Sequence, residues 1–92
     1  LIPPSGLKRV AKVYEKGAEN KGENNWTLGI PFSSLISSAI RHLNDWRWEE
    51  LAKTPHEEDH LAQAVWNILA IMHFEDTGRR ELNNLWEVGE SR

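Results

Sequence analysis

Apolar residues recur at three- and four-residue spacing through two long stretches of this chain, and nowhere do they alternate with polar ones. Phe32, Leu35, Ile36, Ala39, Ile40, Leu43 and Trp46 form the first set, which continues to Leu51; Leu61, Ala64, Val65, Ile68, Leu69 and Met72 form the second. Helical side chains three or four apart share a face, so both stretches predict helices with one buried stripe and leave no strand pattern. A third set, Leu7, Val10, Ala11, Val13, Tyr14 and Ala18, predicts an earlier helix from Gly6 to about Asn20, with Gly22 as its stop. The expected fold class is all-α: a small bundle of three principal helices forming a single domain over residues 1–92, with flexible ends at 1–5 and 87–92.

The boundaries carry their own signals. Residues 23–30, with two Asn and one Gly, read as an ordered loop. Pro31 suits the first position of the second helix. Thr54 as cap, Pro55 as first helical residue and Glu57 three positions after Thr54 predict a capping box at the start of the third. Gly78 is the expected end of that helix, followed by a short helical turn and a tail.

Ninety-two residues bury only about 60% of the surface their unfolded chain exposes. Trp66, Ala70 and Phe74 add a second apolar side to the third helix. A helix apolar on more than one side is usually covered on more than one side, which predicts a homo-oligomer, a dimer or tetramer. Five tryptophans are many for this length, and each indole N–H wants a partner when buried. The net charge of −3 and the lack of any basic block disfavour duplex nucleic acid as partner. Zero cysteine fits a reducing cytoplasm and excludes thiolate metal sites. No apolar run approaches the roughly 20 residues that span a bilayer, so no membrane partner is expected. The opening Leu1-Ile2-Pro3-Pro4 has no methionine, from which removal of something upstream is expected.

Against this frame the polar residues inside the helical stretches stand out. His60, Gln63 and Asn67 share a face with Ala64, and Arg41-His42 interrupts the second helix beside Ile40 and Leu43. A polar group buried without a partner costs roughly 1–3 kcal/mol, so such groups are hydrogen-bonded or used. His42 has Asp45 and Glu49 on its own face, and Asp45 is a candidate partner to fix its tautomer. Arg41 reads either as a phosphate clamp or as the answer to an acid across the bundle. Asn67 reads either a base edge or a helix–helix hydrogen bond.

Two acidic groups flank the turn between the second and third helices: Asp45, Glu49 and Glu50 before it, Glu57, Glu58 and Asp59 after it. Mg²⁺ takes oxygen ligands, commonly a few carboxylates together with substrate phosphates. The acids therefore suit a cation held against a nucleoside triphosphate, or else they serve the dipole at a helix start. His56-Glu57-Glu58-Asp59-His60 formally matches H-E-x-x-H. Its position in a first helical turn, in a chain without room for a cleft subdomain, argues against zinc proteolysis. Asn25 and Trp26, with Lys16, Lys21 and Tyr14 nearby in sequence, offer donors and a stacking surface, or a plug for the end of the bundle.

Several ordered pieces together resemble a known family. Val13-Tyr14-Glu15-Lys16-Gly17-Ala18, Asn25-Trp26, Gly29-Ile30-Pro31 and Arg41-His42 come first. Asp59-His60-Leu61-Ala62-x-Ala64-x-Trp66-Asn67, Met72-His73-Phe74-Glu75 and Glu81-Leu82-Asn83 follow. From about residue 3 to residue 86 they look like the phage-associated dATP/dGTP diphosphohydrolase N-terminal domain family. The resemblance implies a helical domain near the MazG-like pyrophosphohydrolases, oligomeric enzymes that split nucleoside triphosphates into monophosphate and pyrophosphate with Mg²⁺ or Mn²⁺. MazG-like sites carry E-x-x-E and E-x-x-D; here His60 and Gln63 stand where the second pair aligns, and Asp45-x-x-x-Glu49 stands on the helix before.

The expected function is thus metal-dependent hydrolysis of purine deoxynucleoside triphosphates by a protein of phage or prophage origin, in the cytoplasm of its host. Glu49, Glu58 and Asp59 are expected to hold Mg²⁺ or Mn²⁺. His42, His60 and Glu58 are the expected catalytic groups, and Lys16, Lys21, Asn25, Trp26, Arg41 and Asn67 are expected to bind the nucleotide. The alternative is a metal-free, non-catalytic protein that sequesters a nucleotide or a nucleotide-derived immune signal. That role suits a chain lacking the full carboxylate set.

Overall fold

The computed structural model describes residues 2–21 and 25–88, with the side chains of 18–21, 25 and 88 left aside. Three α-helices run in order, α1 (Pro4–Lys21), α2 (Phe32–Ala52) and α3 (His60–Asp76), with short 3-10 turns at Asn25–Leu28, Arg80–Leu82 and Leu85–Val88. No strand occurs among the described residues. Helix α1 begins at Pro4, inside the stretch 1–5 that was expected to be a flexible end; proline fits a first helical turn because its missing N–H has no helical acceptor there. Gly22 and Asn24 lie outside the described residues.

Helix α3 is central: α2 packs along one side of it and α1 along another. Helices α2 and α3 are antiparallel. Phe32 and Leu35 at the start of α2 meet Ala70 and Phe74 near the end of α3, and these four residues, each at most 2% exposed, form the core. Trp26, Ile30, Trp66, Ile71, Leu82 and Leu85 pack around them.

The burial pattern corrects the expected stripes. On α3 the buried residues are His60, Ala62, Ala64, Asn67, Ala70 and Phe74. Val65, Ile68, Leu69 and Met72, expected inside, are 42%, 47%, 37% and 49% exposed. On α2 the buried line is Phe32, Leu35, Ala39 and His42, whereas Ile40, Leu43 and Leu51 are exposed. Alanines and one phenylalanine let α2 and α3 approach closely, so within one chain the small-residue face is covered and the larger aliphatic face is left outside. The Cα radius of gyration is 14.3 Å, above the about 12 Å of a compact domain this long.

The helix ends correct two further expectations. Thr54 does not cap α3. Its N–H donates to the Glu49 carbonyl while the Lys53 N–H donates to the Glu50 carbonyl, closing α2 through a left-handed Lys53 (φ 57°). Helix α3 starts after Asp59, whose carboxylate accepts from the Ala62 N–H at 3.2 Å. A carboxylate three residues before an open N–H is the stronger cap, and the acidic run 57–59 stays outside the helix. Pro31 likewise precedes α2, as its N-cap, with no side-chain cap of its own. Gly78 ends α3 as expected, at φ 76°, with Arg79 N–H donating to the Phe74 carbonyl at 2.8 Å.

The missing cap of α2 comes from elsewhere. Asn84 accepts from the Ser33 N–H at 3.0 Å, and Arg79 donates to the Thr27 and Leu28 carbonyls at 3.3 Å each. The C-terminal turns thus clamp the loop before α2 and the first turn of that helix. Asn84→Ala is expected to lower unfolding free energy by about 1 kcal/mol, a usual value for a lost N-terminal cap, read from the urea midpoint at unchanged slope.

Candidate functional site

The buried register of α2 advances 32, 35, 39, 42 and then 46 and 49, so the same line that starts in apolar residues ends in His42, Trp46 and Glu49. The antiparallel turn brings the start of α3 back to that end. His42 (5% exposed) and His60 (4%) therefore meet inside the α2–α3 interface. Their Nδ1 atoms are 2.9 Å apart. The His60 Nε2–H donates to Glu49 Oε2 at 3.1 Å, because a carboxylate can only accept. A neutral His60 then has a bare Nδ1, which accepts from the Nδ1–H of His42. Burial, and after it the charge of Arg41, pushes the His42 pKa below its ordinary 6.5, against the pull of Glu58 and Asp45. His42 pairs with His60, not with Asp45 as expected.

A second histidine reaches the same carboxylate. His56, in the connection before α3, bridges Glu49 Oε1 at 2.5 Å and Glu50 Oε2 at 2.6 Å, with its ring stacked 6.0 Å from Trp46. His56 and His60 do not lie four apart on one helix, and their rings stand nearly perpendicular. The zinc-protease geometry is absent from this segment.

Arg9 of α1 closes the other wall. Its guanidinium donates to both oxygens of Asp59 at 2.7 Å, and this pairing holds the Asp59 carboxyl below its ordinary 3.8. Between these walls lies an open cleft of about 270 Å³, lined by Arg9, Trp46, His56, Glu57, Glu58, Asp59 and His60. Glu58 joins His42 and His60 in a group whose ligand atoms all lie within 4.8 Å of one another.

The expected site residues divide accordingly. His42, Glu49, Glu58, Asp59 and His60 are brought together, although Asp59 is occupied by Arg9 and by its capping bond. Asn67 is buried and donates to the Gln63 carbonyl at 2.8 Å and to Ser38 Oγ at 3.3 Å, a bond between helices. Arg41 and Lys16 are exposed. Trp26 sits at the far end, edge-on to Tyr14, Trp66, His73 and Phe74 at 5.0–5.8 Å. The span of α3 separates it from His60 by about 20 Å, and its faces are spent on packing. The side chains of Lys21 and Asn25 lie outside the described residues. Arg9 and Trp46 were not singled out in the sequence as site residues, and His56 was noted only within the H-E-x-x-H match that was set aside. His56 had a signal, since it lies four residues before His60 beside a run of acids, whereas Arg9 had none.

The His56 bridge predicts a pH signature. Its hydrogen bonds with Glu50 and Glu49 raise the His56 pKa above 6.5, and the bond from His56 lowers the Glu49 pKa below 4.5. Stability from the raised histidine is complete below pH 6.5 and is lost as the pH climbs through its folded value. Stability from Glu49 is complete above pH 4.5 and is lost as the pH falls through its folded value. In chelator-treated protein, the urea midpoint of wild type is expected to exceed that of His56→Ala by the widest margin between pH 4.5 and 6.5.

Comparison with curated proteins and with solved structures returns no match. Residues 1–84 match the profile described as dATP/dGTP diphosphohydrolase, N-terminal. With nearly all of its length inside that match, this chain belongs to the dATP/dGTP diphosphohydrolase N-terminal domain family.

Proposed function

We propose that the cleft at the α2–α3 turn serves the hydrolysis of purine deoxynucleoside triphosphates, dATP and dGTP, to monophosphate and pyrophosphate. The observation that carries this reading is the convergence of imidazoles and carboxylates in one open cleft of a chain belonging to this family. In such a reaction a water attacks the α-phosphorus, the bond from that phosphorus to the bridging oxygen of the β-phosphate breaks, and pyrophosphate leaves.

The charges of the cleft bear on how a triphosphate would enter. Arg9 answers Asp59, the single ring of His56 bridges Glu49 and Glu50, and among the described residues no ion pair joins Glu57 or Glu58, so the carboxylates around the cleft outnumber its cations. A polyanion approaches such a surface only with a cation. The donor set at the buried end, two imidazoles and a carboxylate, suits Mn²⁺ better than Mg²⁺, which prefers oxygen throughout. Such an ion, held by His42, His60 and Glu58, supplies charge neutralisation at the phosphate and a more acidic water. Glu57 is then the carboxylate free to take the proton of the attacking water. His56, hydrogen-bonded between its two acids, would face the leaving group, and Arg9 would offer its exposed side to a phosphate oxygen.

Incubating purified protein with a nucleotide panel and Mg²⁺ or Mn²⁺, with mass spectrometry before and after heat release, tests the reading. Catalytic appearance of dAMP or dGMP with pyrophosphate is the expected result. Intact nucleotide recovered only after denaturation would replace hydrolysis with sequestration, the role that the unusual ligand set also permits.

A homo-oligomer belongs to the same proposal. Ile40 and Leu43 on α2, with Val65, Ile68 and Met72 on α3, recur at helical spacing and are all more than 40% exposed, an apolar surface that a monomer rarely leaves open. A second copy of the chain is the proposed cover. Sedimentation velocity is expected to give a dimer or larger species, and Ile68→Glu is expected to shift it to monomer.

A further inference from the structure

We propose that His42, His60 and Glu58 bind a divalent first-row transition-metal ion through nitrogen and oxygen, with Glu49 as the outer partner that orients His60, and that the site discriminates against magnesium. The inference deepens the hydrolase reading, since it names the metal class for the same cleft and rests on that reading for the metal's purpose. Its test nevertheless uses the metal alone.

The geometry is that of neighbouring ligands. Two donors bonded at 2.0–2.1 Å to one ion stand about 2.9 Å apart at right angles and about 3.3 Å apart in a tetrahedron. The two Nδ1 atoms are 2.9 Å apart. Both rings are almost wholly buried, so their orientations are locked by packing and not by solvent. The Glu49 carboxylate, accepting from His60 Nε2–H at 3.1 Å, keeps the proton away from Nδ1. This is the carboxylate–histidine arrangement that fixes a metal ligand's tautomer and raises its basicity. His42 becomes a ligand by moving its proton from Nδ1 to Nε2, with no net charge change. Glu58 supplies the anionic oxygen from the open side, where Gln63 Nε2 donates to its Oε1 at 3.1 Å and leaves Oε2 available. Two imidazoles and one carboxylate with the remaining positions facing a cleft match the 2-His-1-carboxylate class, which takes Fe²⁺ and its neighbours. Mg²⁺, which demands oxygen in near-ideal octahedral geometry, has two wrong donors here.

The experiment is a titration of the chelator-treated 92-residue chain with Co²⁺ followed by d–d absorption, with calorimetric titrations of Mn²⁺, Zn²⁺ and Mg²⁺ beside it and no nucleotide present. Stoichiometric Co²⁺ binding with nitrogen-ligand bands is expected, together with Mn²⁺ or Zn²⁺ binding at least tenfold tighter than Mg²⁺. Glu58→Gln, at an exposed position that keeps the fold, and His42→Ala are each expected to weaken Co²⁺ binding at least tenfold. His73→Ala, at the far end of α3, is expected to leave it unchanged. Absence of stoichiometric binding overturns the site. So does binding that survives Glu58→Gln and His42→Ala in protein whose circular dichroism is native, or binding that is lost with His73. If metal binds as expected while no nucleotide is hydrolysed, the site stands and the hydrolase reading falls.

Discussion

Everything in this fold depends on how closely α3 lets its neighbours approach. Its covered face is built from Ala62, Ala64 and Ala70, with Phe74 at one end and His60 at the other. Small residues shorten the distance between helix axes. Short distance along the α2–α3 line is also what forces His42 against His60 and seats Asn67 within reach of Ser38. A face of larger residues would hold the helices apart and leave both imidazoles wet.

The polar end of that interface is satisfied group by group. His42 and His60 answer each other, Glu49 answers His60 and His56, Glu50 answers His56, and Arg9 answers Asp59. No buried side-chain nitrogen or oxygen among the described residues lacks a partner. This economy separates two kinds of acid that look alike in the chain. Glu49, Glu50 and Asp59 hold the architecture of the turn. Among the described residues Glu57 and Glu58 form no ion pair with a lysine or arginine, and both line the cleft, Glu58 beside the imidazoles of His42 and His60. The chain belongs to the diphosphohydrolase N-terminal family, and at this turn it sets two imidazoles, His42 and His60, beside the Glu58 carboxylate, a donor set that prefers different cations from carboxylates alone.

Much of this was legible beforehand. Helical spacing identified all three helices, Gly78 marked the end of α3, and a polar face containing His60 and Asn67 followed from positions three or four apart. The stripes were misassigned because periodicity gives the phase of each apolar set but not which set a neighbour covers. On α3 a small-residue face and a large-aliphatic face lie side by side, and transfer energy alone favours burying the larger one. The cap was misplaced for a related reason. Thr54-Pro55-His56-Glu57 carries every local mark of a helix start, yet the left-handed Lys53 and the bond from Thr54 to the Glu49 carbonyl use Thr54 to finish α2 instead.

The sequence by itself determined the helices, their order, the family and the chemical character of the turn between α2 and α3, since all of these reside in spacing and residue type along one segment at a time. Tertiary structure alone decided that His42 partners His60, that Arg9 spends the charge of Asp59, that Asn84 caps α2, and that Trp26 is packed among rings far from the cleft. Each of those contacts joins different elements, and its existence depends on axis distance and rotation, quantities that packing fixes and that no local pattern encodes.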